Sequence, residues 1–243
     1  MRRWLTLITA CMASTSVFAG DQCATSSSHS NVQLVELYTS EGCSSCPPAD
    51  RWLSALPADS QLIPLAFHVD YWNYLGWRDR FSDARFTQRQ RGVGAYNRQS
   101  TIYTPEIVVN GTEHRQWHRG LSASQAKVQG FPFAVEAALN DGQVTASINS
   151  DKNWPKNARA FIAVTESNLI TEVERGENRG RQLHHDHVVR AFEGPFHPDQ
   201  AFSTKLPGDM VTNNAALVVW LEDTHTGQTI EASTLPLSQC ANS

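Results

Sequence analysis

The sequence predicts an α/β domain followed by a β-rich, sandwich-like domain in a chain of 243 residues. Residues 32–110 alternate apolar, strand-like runs with segments of helical periodicity, which is typical of an α/β domain. Residues 131–235 contain short strand-like runs at regular spacing, which is typical of a β-sandwich. The pattern changes between 121 and 131, so we expect one domain at 20–128 and a second at 129–243.

Five elements follow one another in the first domain. The sequence predicts a strand at 32–38, a helix at 48–56, a strand at 62–69, a helix at 82–97 and a strand at 106–110. The first helix has apolar residues near helical spacing, and the second strand is almost continuously apolar, as a strand buried on both faces is. Ser82 is a suitable N-cap for the second helix, and Asn110-Gly111 ends the last strand.

In the second domain, turn signals separate the strand-like runs. The sequence predicts strands at 134–139, 143–149, 158–165, 185–192, 215–221 and 228–235. Asn140-Asp141-Gly142 separates the first two strands with a sequence typical of a β-hairpin turn. Little helical periodicity interrupts these runs, so we expect mainly β-structure in this half.

The first nineteen residues have the pattern of a secretory signal peptide. Arg2 and Arg3 precede a mostly apolar stretch, and residues 17–19 (Val-Phe-Ala) have the small-x-small pattern of a cleavage site. The apolar run is too short to cross a bilayer. We therefore expect residues 1–19 to be removed and the mature protein to be periplasmic or secreted, with no membrane span. Lipoprotein processing at Cys11 is the alternative, although the apolar stretch before it is only about seven residues long.

Composition and charge limit the kind of partner. The formal net charge is −4 and no long run of Lys and Arg occurs, so the sequence lacks the electrostatic footprint of a nucleic-acid-binding protein. The composition also excludes collagen, coiled coil and bulk disorder. Of the five cysteines, Cys11 lies in the expected signal peptide, which leaves four in the mature chain.

Cys43-Ser44-Ser45-Cys46 lies directly after a predicted strand and just before a predicted helix. A Cys-x-x-Cys pair can form a reversible disulfide, and a helix N-terminus stabilises a thiolate. We expect Cys43 to be the exposed, attacking cysteine and Cys46 to resolve the mixed disulfide. Two alternatives are a structural disulfide and half of a zinc site, which would need further Cys or His ligands.

Thr104-Pro105 stands immediately before the predicted strand at 106–110. Proline is tolerated at the first position of a strand because no ladder donor is needed there. If this peptide bond is cis, the backbone of Thr104 can face Cys43 and pair with an extended substrate; an ordinary trans proline is the alternative. We expect Tyr103 and Thr104 to bind substrate. Trp72, in an aromatic-rich crossover, either packs against a neighbour or forms a wall of the substrate groove.

Glu36 is an acidic residue among apolar ones on the first predicted strand. Val32, Leu34, Glu36 and Tyr38 share one face of that strand. A carboxyl group in apolar surroundings has a raised pKa and can exchange a proton with a resolving thiol. We therefore predict a catalytic role for Glu36, with a water-exposed edge position as the alternative.

The remaining cysteines and a histidine cluster suggest two further sites. Cys23 and Cys240 lie near the two ends of the mature chain, and we expect them to form a structural disulfide. His184, His185 and His187 invite a metal hypothesis, but only two of them share a strand face, which is too few for a closed zinc site. We therefore assign no metal ligand and expect no cofactor.

These features resemble the thioredoxin superfamily over roughly residues 32–120. The chain is more closely similar to a family of secreted bacterial thioredoxin-like proteins catalogued only as a domain of unknown function. The similar stretches are VELYTSEGCSSCPPAD at 35–50, AFHVDYW at 66–72, YTP at 103–105, RGENRG at 175–180 and VVR at 188–190. The resemblance implies a thioredoxin-like α/β domain with a β-rich C-terminal extension, and it implies no settled substrate.

Together these features predict an exported thiol–disulfide oxidoreductase. Cys43 and Cys46 form its redox pair, Pro105 shapes substrate docking, and protein or small-thiol substrates react through mixed disulfides. A periplasmic copper- or zinc-binding protein that uses the same cysteines is one alternative. A non-catalytic binding module of the same fold is the other.

Overall fold

The computed structural model describes residues 21–26, 32–57, 61–121 and 130–240. The described residues form fourteen strands and two α-helices. The strands are β1 (Asp21–Ser26), β2 (Gln33–Thr39), β3 (Leu62–His68), β4 (Glu106–Val109), β5 (Thr112–Glu113), β6 (Ala134–Asn140), β7 (Gln143–Asn149), β8 (Ala158–Glu166), β9 (Leu169–Glu172), β10 (Gln182–His185), β11 (Val188–Phe196), β12 (Phe202–Lys205), β13 (Ala215–Asp223) and β14 (Thr229–Pro236). The helices are α1 (Pro47–Ser54) and α2 (Ala84–Tyr96).

One large sheet takes strands from both halves of the chain. Its eight strands lie in the order β14-β13-β8-β11-β3-β2-β4-β5. Strand β2 runs parallel to β3, and β11 joins β3 in parallel through the pair Val188–Ala66, beside which the Ala66 N–H donates to the carbonyl of His187. Strands β1-β6-β7-β12 form a second sheet, and β9 and β10 form a hairpin.

The fold class predicted from the sequence is wrong. Instead of an α/β thioredoxin-like domain followed by a separate β-rich domain, the described residues form a mainly β protein built on the eight-stranded sheet. Periodicity reveals which segments are strands, but it carries no information about the pairing of β3 with β11, and that pairing joins the two halves. The expected signal peptide at 1–19 and the boundary at 128/129 lie outside the described residues.

Local predictions match the structure in part. Helix α1 spans Pro47–Ser54, against 48–56 predicted, with Cys46 as its N-cap. Asp141 and Gly142 both have positive φ, as a tight hairpin turn between β6 and β7 requires. The N-cap of α2 is Asp83 rather than Ser82, because the Asp83 side chain accepts a hydrogen bond from the backbone N–H of the first turn. In the parts of the chain that are described, no helix is long and apolar enough to cross a membrane.

The two helices cover opposite faces of β2. Val35 and Leu37 pack with Leu53 of α1, whereas Leu34 and Tyr38 belong to the cluster that also contains apolar residues of α2. This alternation follows from the two-residue period of a strand. The four-stranded sheet packs against the C-terminal strands of the large sheet in a third apolar cluster.

Arg89 of α2 is buried and binds acidic side chains from both halves of the chain. Its guanidinium group binds Glu36 of β2 at 2.6 and 2.8 Å and Glu222 of β13 at 3.2 Å. Four aromatic rings surround the guanidinium carbon at 5.0–5.8 Å, those of Phe67, Phe161, Phe192 and Trp220. This buried cation therefore satisfies two acidic side chains from strands far apart in sequence.

A disulfide joins the two ends of the described chain. Cys23 of β1 and Cys240, which follows β14, are bonded with their Cα atoms 4.7 Å apart. The bond spans 217 positions of sequence. It fastens the first strand of the smaller sheet to the C-terminal end of the larger one.

Candidate functional site

The site is built around a second disulfide, between Cys43 and Cys46, at the N-terminus of α1. Their Cα atoms lie 5.4 Å apart. The Oγ atom of Ser45 lies 3.4 Å from the sulfur of Cys43. Because Cys46 is the helix N-cap, the ring sits at the positive end of the helix dipole, which favours negative charge on sulfur.

The local sequence explains why the chain closes this ring. After β2 ends, the backbone N–H of Cys43 donates to the carbonyl of Ser40 at 3.1 Å, and that of Cys46 donates to the carbonyl of Cys43 at 3.2 Å. These hydrogen bonds form two consecutive turns. Pro47 at the first helical position removes an N–H that would have no intrahelical partner.

The cysteine pair is covered by residues 176–180, which we call the clamp loop. Asn178 is fully buried, and its Nδ2 donates to the carbonyl oxygens of Glu41 at 2.9 Å and Cys43 at 3.0 Å. The carboxylate of Glu177 accepts a hydrogen bond from the backbone N–H of Ser44 at 3.1 Å. Hydrogen bonding to Ser44 lowers the pKa of Glu177.

The clamp loop also packs closely on the crossover between β3 and α2. A Cβ atom at Gly176, where φ is +75°, would lie 3.1 Å from the Cβ of Trp77. Both Cys43 and Cys46 have no exposed surface. The expectation that Cys43 is the exposed cysteine is therefore wrong, because a loop from the C-terminal half of the chain covers it.

Two of the predicted substrate-binding residues, Trp72 and Thr104, lie next to the disulfide loop. The Thr104–Pro105 peptide bond is cis. The indole N–H of Trp72 donates to Thr104 Oγ1 at 2.8 Å, and a Cβ at Gly42 would lie 3.1 Å from the Cβ of Trp72. Trp72 thus links the residue before Cys43 to the segment containing Pro105.

Tyr103 and Pro105 line an open cleft of about 550 Å³. Arg115 and Trp117 lie on its other walls. The ring of Trp117 packs against that of Trp52 on α1, with centroids 5.8 Å apart. The cleft therefore begins beside the disulfide helix and has aromatic and cationic walls.

A group of buried acids and histidines lies close to the disulfide, with members before and after the two cysteines in sequence. We call it the acid–histidine cluster. Its members are Glu41, Asp50, His68, Asp79 and His185, all nine per cent exposed or less.

Two contacts organise this cluster. His68 Nδ1 lies 2.7 Å from Asp79 Oδ2, and His185 Nε2 lies 3.3 Å from Glu41 Oε1. The two histidine rings meet edge to face, with centroids 5.1 Å apart. Glu41 also accepts a 2.7 Å hydrogen bond from the indole N–H of Trp77.

Burial and charge set the protonation of this cluster. Burial lowers the pKa of His68, but the neighbouring Asp79 carboxylate raises it above its usual value. Burial raises the pKa of Asp79, but His68 and two backbone N–H groups outweigh that effect and lower it. These two residues therefore form a buried ion pair. Burial raises the pKa of Asp50, although His185 and His68 oppose the shift.

Glu36 lies on the other face of β2, away from the helix that carries the cysteines. Its carboxylate is bound by Arg89 and accepts a hydrogen bond from Tyr38 at 2.8 Å. The strand alternation noted in the sequence is correct, and it is what directs Glu36 toward α2 rather than toward α1. The structure therefore does not bring Glu36 together with the cysteine pair.

The three histidines at 184, 185 and 187 lie in different environments. His185 is buried beside Glu41, His184 is exposed beside Gln182, and His187 has a positive φ in the turn before β11. His185 and His187 therefore do not share a strand face. Within the described ranges, no group of three or more His, Cys, Asp or Glu side chains could hold a metal ion.

Asn178, Asp50 and Asp79 were missed as site residues by sequence reasoning. A signal for Asn178 existed, because residues 175–180 are one of the stretches that resemble other proteins. Asp50 ends another such stretch, 35–50, but no local signal marks Asp79. Their role depends on β10 and the crossover packing beside α1, which is a long-range property of the fold.

The chain matches one family model and two solved structures. The model, described as a protein of unknown function (DUF1223), covers residues 34–222. No curated protein matches the chain. The crystal structure of a protein from Agrobacterium tumefaciens is similar at 26% sequence identity and a TM-score of 0.57, over 84% of this chain and 93% of that one.

A second solved structure, HBP35 of Porphyromonas gingivalis, is similar at 13% identity and a TM-score of 0.51. The match covers 87% of this chain and 76% of that one, and at this identity the likeness concerns the fold alone. The family match spans both cysteines of the site, the cis proline and the clamp loop. The chain therefore belongs to the DUF1223 family of proteins of unknown function.

Proposed function

We propose that this protein is an exported thiol–disulfide oxidoreductase whose redox pair is Cys43 and Cys46. One observation carries the proposal: the two cysteines form a disulfide at the N-terminus of a helix, with Cys46 as its N-cap. A helix N-terminus stabilises thiolate, which is both the attacking and the leaving species in exchange.

The exchange needs only substrate thiols and the disulfide. A substrate thiolate attacks the sulfur of Cys43, the S–S bond breaks, and its electron pair leaves on the sulfur of Cys46. A second substrate thiolate then attacks the substrate sulfur of the mixed disulfide and releases Cys43. The two substrate thiols are oxidised to a disulfide and the cysteine pair is reduced; the reverse sequence reduces a substrate disulfide.

The proposed substrates are proteins or small thiols that approach from the side of Pro105. The cleft lined by Tyr103 and Pro105 begins there, and Trp72 holds Thr104 next to the cysteine loop. Because the sulfurs have no exposed surface, exchange requires the clamp loop to move away from Cys43. Among the described residues, the clamp loop is held to the cysteine loop by two side-chain hydrogen bonds from Asn178 and one to Glu177, and Gly176 packs against Trp77. We expect these contacts to open without unfolding of the sheets.

The proposed location is outside the cytoplasm. The signal-peptide pattern at 1–19 supports export, and two disulfides suit an oxidising compartment. The catalytic role predicted for Glu36 stays a prediction, and its pairing with Arg89 favours a structural role. In the part of the chain that the structure describes, no cluster of side chains supports the copper or zinc alternative.

Titration with a redox buffer tests the proposal. The protein is equilibrated with mixtures of reduced and oxidised dithiothreitol, quenched with acid and alkylated, and each cysteine is followed by peptide mass spectrometry. We expect reversible reduction of the Cys43–Cys46 pair in the folded protein. Reduced Cys46→Ser should accumulate a mixed disulfide on Cys43 with a disulfide-containing peptide, and Cys43→Ser should not exchange. Ser44→Ala is the matched control, since it leaves both sulfurs in place.

Two results would contradict the proposal. One is a pair that is reduced only when circular dichroism shows that the protein has unfolded. The other is exchange by both serine variants at the wild-type rate.

A further inference from the structure

Asp50 is the acidic side chain placed one helical turn after Cys46. Its backbone N–H donates to the carbonyl of Cys46 at 3.1 Å. Residues four apart on a helix lie on one face, and their side chains tilt toward the N-terminus, so the carboxyl group of Asp50 is directed back along the helix toward Cys46. Asp50 is 9% exposed and Cys46 has no exposed surface.

We propose that Asp50 exchanges a proton with the sulfur of Cys46 during thiol–disulfide exchange, inside the acid–histidine cluster. This inference rests on the proposed function and deepens it. When a substrate thiolate attacks Cys43, the sulfur of Cys46 leaves with the electron pair of the S–S bond. A proton then passes from the Asp50 carboxyl group to that sulfur and leaves a carboxylate. In the reverse direction Asp50 takes the proton back as the sulfur of Cys46 attacks the mixed disulfide.

The other two acids of the cluster each lie beside a histidine, although the buried Oε1 atom of Glu41 makes no hydrogen bond within the described structure. Asp79 binds His68 and accepts hydrogen bonds from the backbone N–H groups of Glu41 and Phe81. Glu41 is bound by Trp77 and lies beside His185. Among the described residues, Asp50 forms no ion pair within 4.0 Å, and the Thr39 side chain favours its carboxylate through hydrogen bonding.

The surroundings of Asp50 suit a group that changes its protonation. His185 on β10 and His68 on β3 act on it as positive neighbours when protonated, while Asp79 opposes ionisation. The Nε2 atoms of His68 and His185 are buried and make no hydrogen bond within the described structure. Burial raises the pKa of Asp50, so its protonated form persists to a higher pH than that of an exposed aspartate.

The test is the ionisation of Cys46 in the reduced protein. The Cβ of cysteine is labelled with carbon-13, and its chemical shift is followed against pH in wild type, Asp50→Asn and Asp141→Asn. A carboxylate about one helical turn from a thiol disfavours the thiolate, so Asp50→Asn should increase the acid dissociation constant of Cys46 about tenfold. Asp141→Asn, in the exposed β6–β7 turn, should leave the titration unchanged.

A second variant keeps the test valid if Asp50→Asn does not fold. His185→Gln removes a neighbour that favours the Asp50 carboxylate. The Asp50 step, followed through the same Cys46 resonance, should then move to higher pH.

The outcomes separate this inference from the proposed function. If Asp50→Asn folds and leaves the Cys46 titration unchanged, or if His185→Gln leaves the Asp50 step in place, the inference is wrong. The redox titration of wild type is independent of both variants. A pair that exchanges normally while Asp50 has no effect refutes the inference and retains the oxidoreductase, whereas a pair that cannot exchange refutes both.

Discussion

The Nδ2 atom of Asn178 donates a hydrogen bond to the carbonyl oxygen of Cys43, 3.0 Å away and 135 positions earlier in the chain. A second bond from the same amide reaches the carbonyl of Glu41. The disulfide helix is therefore closed by a loop that belongs to the other half of the protein. Access to the sulfurs depends on these contacts as well as on the cysteines themselves.

Asn178→Ala should accelerate reduction of the Cys43–Cys46 disulfide. Removing two buried hydrogen bonds weakens the closed state of the clamp loop by about 2 kcal/mol, so the accessible state should be at least about tenfold more populated. The measurement is the rate of reduction by dithiothreitol, followed by quenched alkylation at several reductant concentrations.

The control for this variant is Asn153→Ala, at an exposed position between β7 and β8. It should reduce at the wild-type rate. Equal rates for Asn178→Ala and wild type would show that the clamp contacts do not limit access to the sulfurs.

The double variant Cys23→Ser/Cys240→Ser should lose stability but keep thiol–disulfide exchange. In the wild-type protein this disulfide joins residues 217 positions apart. Removing a native disulfide lowers the free energy of unfolding by about 2–5 kcal/mol. The midpoint of urea unfolding measures the loss, and the redox titration of the remaining pair measures exchange. Loss of exchange in a folded double variant would mean that the terminal disulfide takes part in the chemistry.

Arg89→Met should strongly destabilise the fold. The substitution leaves Glu36 and Glu222 buried without their cation, which costs about 3–5 kcal/mol. Adding Glu36→Gln to this variant should restore part of the loss, because one uncompensated charge is removed. Thermal unfolding measures both effects.

The matched control for Arg89→Met is Arg91→Met, an exposed position on the same helix. It should change the free energy of unfolding by less than about 0.5 kcal/mol. If both methionine variants unfold at the same temperature, the buried ion pairs do not stabilise the protein.

Glu231→Gln should stabilise the protein at alkaline pH and not at acidic pH. Burial on β14 raises the pKa of Glu231 from 4.5 to about 7. Between those values the folded state holds a proton that the unfolded state has lost, so the free energy of unfolding falls as pH rises through this window. Glutamine does not ionise, so the variant avoids this loss of stability. Its free energy of unfolding should exceed that of wild type by about 1–2 kcal/mol at about pH 8. Urea unfolding at about pH 4 and about pH 8 is the measurement, and an equal effect at both would contradict the shifted pKa.

Local features of the fold were predictable because neighbouring residues produce them. The turn-forming residues at 140–142, the apolar runs of β2 and β3, and Pro47 at the first position of α1 each act within a few residues. The fold class was not predictable in the same way. Pairing of β3 with β11 merges two segments that look like separate domains in the linear sequence.

The same distinction between local and long-range features applies to the candidate site. Local chemistry in the sequence was sufficient to single out Cys43, Cys46 and Pro105, because spacing and the adjoining helix or strand identify them. Tertiary packing alone decided that Asn178 covers the disulfide and that Asp50 lies within the acid–histidine cluster. The physical reason is that hydrogen bonds and charges act through space, and the neighbours of these side chains come from strands and loops far away in sequence.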